Sequence, residues 1–207
     1  MSAVTTRIAR PSTVIAVLAV LAVIQIGAAG ASGAMVAPDS ATGAVQQLIR
    51  SIDQLRVTTD PAERAKLARS IDASLALEPL CRESLGAEWA RHDAREHARF
   101  VAIVRKSLEK FAYPRAAQFF SGMKIAYLGE ENSRGDTMVR TTSSVGGGAV
   151  SIDYAMKKIA GKWAVVDIIL DHQSLAQSVA AQMQAVLKSG SYNDLVAQME
   201  SRLKQEG

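Results

Sequence analysis

Apolar residues near the start of the folded part of the chain repeat at helical spacing. They recur every three or four positions over residues 44–55, which predicts an amphipathic helix with one buried stripe. A second helix is predicted from Pro61 to about residue 71. Asp60 and Glu63 mark its start, because an aspartate accepts hydrogen bonds from the first turn and proline fits the first helical position.

Two more helices are predicted before the middle of the chain. The first covers residues 75–85 and ends at Gly86. The second is long and begins with a capping box formed by Asp93 and Glu96. The Tyr113-Pro114 pair is expected to break it, with one more helical turn afterwards, because proline lacks the N–H group that continues a helix.

From Met123 onward the apolar period changes to two, which predicts strands with one apolar face. The predicted strands cover residues 123–127, 137–143, 150–156 and 162–170. Turn sequences at 129–135, 146–148 and 158–161 separate them and suit hairpins. These four strands are therefore expected to form an antiparallel meander.

Two further helices follow the strands. Ser174 with Gln177 is predicted to cap the first, Gly190 to stop it, and Ser191 to begin the second. The predicted fold class is therefore α+β, with a four-stranded antiparallel meander sheet packed by N- and C-terminal helices.

The first 34 residues have the pattern of a secretory signal peptide. Arg7 and Arg10 are followed by an apolar run over 14–26 and by small residues over 27–34. The run is shorter than the roughly 20 residues needed to span a bilayer. We expect residues 1–34 to be removed on export and residues 35–207 to form a single domain; an uncleaved N-terminal anchor is the alternative.

Composition and charge exclude several classes of protein. The formal net charge is +4, from 24 Lys plus Arg and 20 Asp plus Glu, and the charges are scattered, so nucleic acid is not an expected partner. The hydrophobic content of 48% fits a globular domain. The one cysteine, Cys81, excludes an intrachain disulfide and a zinc site built on several cysteines.

The residues most often used in metal and anion sites do not form one here. His92 and His97 are five positions apart and do not share a helix face, so no metal site is predicted. The glycines at 146–148 lie between strands, which favours a turn over a phosphate-binding loop. Cys81 falls in an apolar helical pattern and is expected to be a small buried side chain.

Asp167 and Asp171 are the one carboxylate pair that could serve catalysis. They lie within and at the end of the last predicted strand, where burial could raise the pKa of an acid. The structural alternative is that Asp167 accepts hydrogen bonds from a neighbouring loop and Asp171 helps to start the next helix. No catalytic constellation is predicted, so we do not expect an enzyme.

Four stretches resemble the MlaC and toluene-tolerance family of periplasmic lipid-binding proteins. They are Cys81–Trp89, similar to the family's I/A-x-R-x-x-L-G-x-x-W; Phe100–Phe111; Ser151–Tyr154; and Gly161–Asp167, similar to its G-x-W-x-V-x-D. The chain departs from the family pattern at 171–175 and 179–180, where Glu-Gly-Val-Ser-Leu and an aromatic-Arg pair are usual. A related branch associated with hopanoid biosynthesis is therefore an alternative.

The resemblance implies an NTF2-like cone whose apolar pocket holds the acyl chains of a phospholipid as cargo, with no cofactor. It also implies a soluble periplasmic shuttle that maintains outer-membrane lipid asymmetry. Its partners would be an inner-membrane ABC transporter complex and an outer-membrane lipoprotein–porin complex.

The expected lipid-binding residues are the apolar positions of the predicted strands and of the long helix that faces them. They are Ile125, Tyr127, Val139, Ile152, Tyr154, Met156, Trp163 and Val165 from the strands, with Val104, Leu108 and Phe111 from the helix. From the pattern alone, such a face is equally the wall of an ordinary closed core. The family resemblance is the reason to expect that this face lines a pocket.

Two other classes of function stay open at this level. An exported α+β enzyme would require Asp167 or Tyr154 to act on a bound substrate. A structural or assembly factor would require neither a pocket nor a catalytic group.

Overall fold

The computed structural model describes residues 39–133, 135–145 and 148–205. The predicted signal peptide, residues 1–34, lies outside them, as do two glycines of the predicted 146–148 turn. Within these ranges, no helix is both long enough and apolar enough to cross a membrane.

The first two helices each begin at a side-chain cap, of which only the second was predicted. Helix α1 (Ala41–Val57) is longer at both ends than its apolar stripe, and the Ser40 hydroxyl accepts a hydrogen bond from the N–H of Gly43. Helix α2 (Pro61–Ala73) starts at the predicted Asp60 cap, whose carboxylate accepts from the N–H of Glu63 at 2.8 Å. Both starts therefore satisfy N–H groups that have no partner inside the helix.

The long helix does not break at Pro114, and that prediction is wrong. Helix α3 (Leu77–Leu85) ends at Gly86, a 3₁₀ segment (Gly86–Arg91) follows, and the predicted capping box opens α4 (Ala94–Ser107). The chain then passes through a π-helical segment (Leu108–Ala112) directly into α5 (Tyr113–Phe119). A proline early in α5 lacks the N–H of the regular ladder, and a widened turn before it accommodates that loss without ending the helix.

The sheet is a meander of five antiparallel strands, so the predicted α+β class is confirmed and the predicted number of four strands is one too few. The strands, in spatial as well as chain order, are β1 (Ile125–Ser133), β2 (Asp136–Val145), β3 (Gly148–Ile159), β4 (Lys162–Leu170) and β5 (Gln173–Ser174). β5 has only two residues, which is too short for an alternating pattern to reveal. It pairs with the end of β4 through a turn at Asp171 and His172, both with positive φ.

Strand β1 continues well past the predicted end of its pattern. Its pairing with β2 shifts register between Tyr127 and Gly129, so Leu128 is an extra, exposed residue in a bulge. The alternation of apolar and polar residues is lost there, which is why residues 129–135 resembled a long turn. Two helices close the chain, α6 (Leu175–Ser189) and α7 (Tyr192–Gln205), with Gly190 between them as predicted.

The core is divided into two apolar clusters. In the first, which we call the sheet-facing cluster, α1, α5 and the end of α2 pack on one face of the sheet. Its buried members are Ala41, Val45, Leu48, Ile52, Leu55, Ile71, Tyr113, Ala117, Val139, Ile152, Tyr154, Met156 and Val165. The second, the helical cluster, joins α3, the 3₁₀ segment, α4, α6 and α7 around Phe100 and Leu195.

Polar contacts attach the start of α1 to the sheet. The Glu130 carboxylate of β1 accepts a hydrogen bond from the N–H of Thr42 at 2.7 Å. The Trp163 indole N–H of β4 donates to the carbonyl of Asp39 at 3.0 Å. An acid at a helix N-terminus also interacts favourably with the helix dipole.

A buried carboxylate links α2 to α4 and α5. The Tyr113 hydroxyl donates to Oδ1 of Asp72 at 2.5 Å, and Nε of Arg105 lies 3.2 Å from its Oδ2. The Asp72 side chain is only 9% exposed and also shares a hydrogen bond with Glu109, so its carboxylate depends on these neighbours for its solvation.

Tyr113→Phe is therefore expected to lower the free energy of unfolding by about 1–3 kcal/mol, because it leaves a buried acceptor of Asp72 unpaired. Urea denaturation of the purified protein measures the change. The double variant with Asp72→Ala is the control, because alanine removes the acceptor altogether. If the effect of Tyr113→Phe is as large in the Asp72→Ala background, the hydroxyl does not act through Asp72.

Candidate functional site

The inner face of the sheet is continuous and apolar across three strands. Ile152, Tyr154 and Met156 alternate along β3 and therefore share one face. In the strand register Val139 of β2 lies opposite Tyr154, and Val165 of β4 lies opposite Met156. All five are at most 2% exposed, so the side chains at the centre of the predicted site pack closely together.

The other predicted lipid-binding residues do not all lie beside the sheet-facing cluster. Leu108, Tyr127 and Trp163 are partly buried and pack against the sheet-facing cluster. Val104 instead packs against the helical cluster. Ile125 is half-buried at the start of β1, on the edge of the sheet.

Phe111 is buried away from the strand residues, under two cations. The guanidinium of Arg202 lies 5.0 Å from its ring centre and the ammonium of Lys110 lies 5.7 Å away. The sequence prediction treated the segment from Phe100 to Phe111 as one regular helix with one apolar face. The apolar residues of α4 pack in the helical cluster. The π-helical segment changes the direction of the side chains after Ser107, and there Leu108 and Ala112 pack against the sheet-facing cluster.

The sheet-facing cluster includes residues that the sequence prediction did not assign to the lipid site. They are the apolar stripe of α1, namely Val45, Leu48, Ile52 and Leu55, with Tyr113 and Ala117 of α5. The α1 stripe was visible in the sequence as helical spacing. Such a stripe shows that a face is buried but does not identify the surface it packs on.

Three threonine and serine hydroxyls on the inner face of the sheet are paired, whereas, within the described ranges, the buried hydroxyl of Tyr154 is not. Thr137 donates to Oδ1 of Asn132, Thr141 to the carbonyl of Ile152, and Ser143 to the carbonyl of Lys124. The hydroxyl of Tyr154 is buried and has no hydrogen-bond partner among the described residues. Native structures leave few buried polar groups in that state.

Burial is the main cause that raises the pKa of Tyr154, with smaller contributions from Tyr127 and Asp153. The phenol therefore stays neutral and protonated. It can act as a hydrogen-bond donor, but an ionised tyrosine that would serve as a base is strongly disfavoured in this environment.

Asp167 has a structural role at the start of α6. Its Oδ1 accepts from the N–H groups of Ile168 at 2.8 Å and Ala176 at 2.9 Å, and its Oδ2 accepts from the Ser174 hydroxyl at 2.5 Å. The prediction that Asp167 accepts hydrogen bonds is confirmed, but the donors lie in β4, β5 and the first turn of α6 rather than in a loop.

Asp171 does not help to start α6, so that prediction is wrong. Its Oδ1 accepts from the N–H of Ser151 on β3, at 3.1 Å. Asp171 lies in the turn between β4 and β5, and the unpredicted fifth strand separates it from the helix.

The remaining candidate residues also have structural partners. Cys81 is buried in the helical cluster, where burial raises its pKa to about 12, so the thiol is not a nucleophile in the folded protein. His92 lies between the carboxylates of Glu88 and Glu96, while His97 stacks on Trp89. In the part of the chain that is described, no three potential ligands come together to hold a metal.

A groove of about 730 Å³ lies between the α4–π segment and α7. It is lined by Ile103, Lys106, Glu109, Lys110, Glu200, Leu203 and Lys204. None of the eleven predicted lipid-binding residues is among them. With five of its seven lining residues charged, this groove is poorly suited to hydrocarbon chains.

Asp167→Ala is expected to lower the free energy of unfolding by about 2–3 kcal/mol, because it leaves the N–H groups of Ile168 and Ala176 and the Ser174 hydroxyl without this acceptor. Thermal or urea denaturation measures it. Asp53→Ala on the exposed face of α1, which removes one surface ion pair with Arg56, is the control and is expected to cost well under 1 kcal/mol. Equal stability of the two variants would contradict the structural role of Asp167.

Comparisons with known proteins agree with the geometry. The family model described as MlaC protein matches residues 40–201. Among solved structures, a phospholipid-binding protein from Ralstonia solanacearum, in complex with a phospholipid, has the same fold, with a TM-score of 0.65 and 20% sequence identity. The match covers 79% of this chain and 94% of that one, whereas no curated protein matches the chain. Since the family model covers most of the sequence, the chain belongs to the MlaC family.

Proposed function

We propose that this protein is a periplasmic phospholipid carrier that holds acyl chains between the inner face of the sheet and helices α1 and α5. The observation that carries the proposal is the sheet-facing cluster, an apolar face built from three strands and enclosed by two helices in a chain of the MlaC family. The phospholipid in the solved structure with this fold supports the same cargo class.

The energetics of lipid transfer explain why a carrier is needed. Each buried methylene group contributes about 0.8 kcal/mol, so exposing two acyl chains of roughly 16 carbons to water costs on the order of 25 kcal/mol. A protein interior that replaces the bilayer makes transfer nearly isoenergetic. The carrier itself then needs no catalytic residue, and family membership points to a binding or transport protein rather than an enzyme.

The acyl chains would enter by displacing α1 and α5 from the sheet. The side chains between them, such as Met156 and Leu48, are already buried against one another. Lipid would replace this contact between protein side chains with contact between protein and hydrocarbon, at little net cost in apolar exposure. Met123 and Met156 are flexible enough to fit chains of different shape.

The proposed location and partners rest on the leader and the family. The signal-peptide pattern over residues 1–34 supports export to the periplasm. We propose exchange of lipid with an inner-membrane ABC transporter complex and an outer-membrane lipoprotein–porin complex, which would maintain outer-membrane lipid asymmetry.

The proposal predicts that the full-length chain, exported and purified from the periplasm, carries about one phospholipid per protein. Ile152→Asp is expected to remove most of it, because the carboxylate would lie in the apolar space of the acyl chains. Native mass spectrometry and solvent extraction measure the lipid. Met156→Gln, a milder change of similar length, is expected to reduce the lipid content in the same direction.

Ile159→Asp is the matched control, since Ile159 is 41% exposed at the end of the same strand. It is expected to keep its lipid. The carrier proposal is wrong if the wild-type protein contains no lipid, or if both aspartate variants retain it equally while folded. A polycyclic triterpenoid in the extract, in place of a diacyl lipid, would assign the protein to the hopanoid-associated branch.

A further inference from the structure

The Tyr154 hydroxyl differs from the other buried tyrosine hydroxyls of the chain. Tyr113 donates to Asp72, and Tyr192 donates to the carbonyl of Glu96 at 3.4 Å. Tyr154 is 1% exposed, lies at the centre of β3 with Val139 and Ile168 opposite, and finds no acceptor in the described ranges.

An unpaired hydroxyl in this place lowers stability. Burying it without a partner costs about 1–3 kcal/mol, and phenylalanine would fill the same space without that cost. A hydrogen-bond acceptor on the bound ligand would recover this lost free energy. The unpaired Tyr154 hydroxyl therefore suits a ligand that brings a hydrogen-bond acceptor into the sheet-facing cluster.

The chemistry of a phospholipid restricts what that acceptor can be. Acyl methylene groups cannot accept a hydrogen bond, and burying a charged phosphate among apolar side chains is very costly. The ester carbonyls at the top of the acyl chains are neutral acceptors that enter with the hydrocarbon. They match a neutral donor such as the Tyr154 phenol.

The neighbours of Tyr154 lead toward solvent in the same order as the groups of a phospholipid. Tyr127, half-buried on β1, packs against the same cluster as Tyr154, and the positive charge of the exposed Arg50 of α1 opposes the effect of burial, which raises the pKa of Tyr127. The buried phenol, the half-buried ring and the exposed cation therefore differ stepwise in their exposure. In a phospholipid the ester carbonyls likewise lie between the acyl chains and the phosphate.

We propose that the Tyr154 hydroxyl donates a hydrogen bond to an ester carbonyl of the bound glycerophospholipid, and so selects ester-linked over ether-linked lipids. This inference rests on the proposed function and specifies the lipid class for the same site.

The test uses full-length, exported protein after removal of its lipid. It compares two phosphatidylglycerols of matched chain length, one with two ester links and one with two ether links. Competition measured by native mass spectrometry is expected to favour the diester about three- to tenfold in the wild type, the effect of one net hydrogen bond. Tyr154→Phe is expected to remove this preference, whereas Tyr192→Phe, the same change in the helical cluster, is expected to keep it.

Two further measurements complete the test. The carbonyl stretch of ¹³C-labelled ester lipid is expected at lower frequency in the wild type than in Tyr154→Phe, because a hydrogen bond weakens the C=O bond. Delipidated Tyr154→Phe is expected to melt a few degrees above the delipidated wild type, since the variant no longer buries an unpaired hydroxyl.

The outcomes separate this inference from the proposed function. If the wild type binds both lipids equally, or if folded Tyr154→Phe keeps the diester preference, the inference is overturned while the carrier function stands. If the wild type binds neither lipid, both are overturned. If Tyr154→Phe does not fold, the wild type decides: a diester preference together with a carbonyl stretch lowered relative to the same lipid in a dry apolar solvent supports the inference, and the absence of either overturns it.

Discussion

The constraint on which the structure depends is that the inner face of the sheet must be kept from water. Side chains from β2, β3 and β4 form an apolar surface too large to leave exposed, and α1 and α5 cover it. Hydrocarbon chains of a lipid would satisfy the same requirement. Acyl chains could therefore replace α1 and α5 on this face with little change in apolar exposure. A lipid carrier needs this property.

In the proposed carrier, the division of the core into two clusters would let α1 and α5 move while the helical cluster stays folded. The helical cluster has its own buried aromatic and aliphatic side chains, and Asp167 fixes the start of α6 beside the sheet. On the other side, α1 is attached to the sheet by a few polar contacts, including those of Glu130 and Trp163. A small number of hydrogen bonds, each worth about 1 kcal/mol net, is a modest barrier to moving a helix.

The sequence predicts much of this architecture because its signals are local. The Asp60 and Asp93 caps and the alternation along β3 each follow from a few neighbouring residues. β5 is too short to have a period, and the π-helical segment depends on how the helix accommodates Pro114. The grouping of Val104 and Phe111 with the strand residues did not anticipate their packing, because periodicity shows that a face is buried but not its partner. Val104 lies against the helical cluster and Phe111 belongs to neither cluster. The unpaired Tyr154 hydroxyl is likewise a property of packing in three dimensions.

The most direct test of the account is the distance between α1 and the sheet with and without lipid. Spin labels at Gln54 on the exposed face of α1 and at Lys157 on the exposed face of β3 would report it by pulsed electron paramagnetic resonance. The account predicts that loading one phospholipid per chain lengthens this distance by several ångströms. An unchanged distance in protein that has bound its lipid would place the cargo outside the sheet-facing cluster and contradict the central claim.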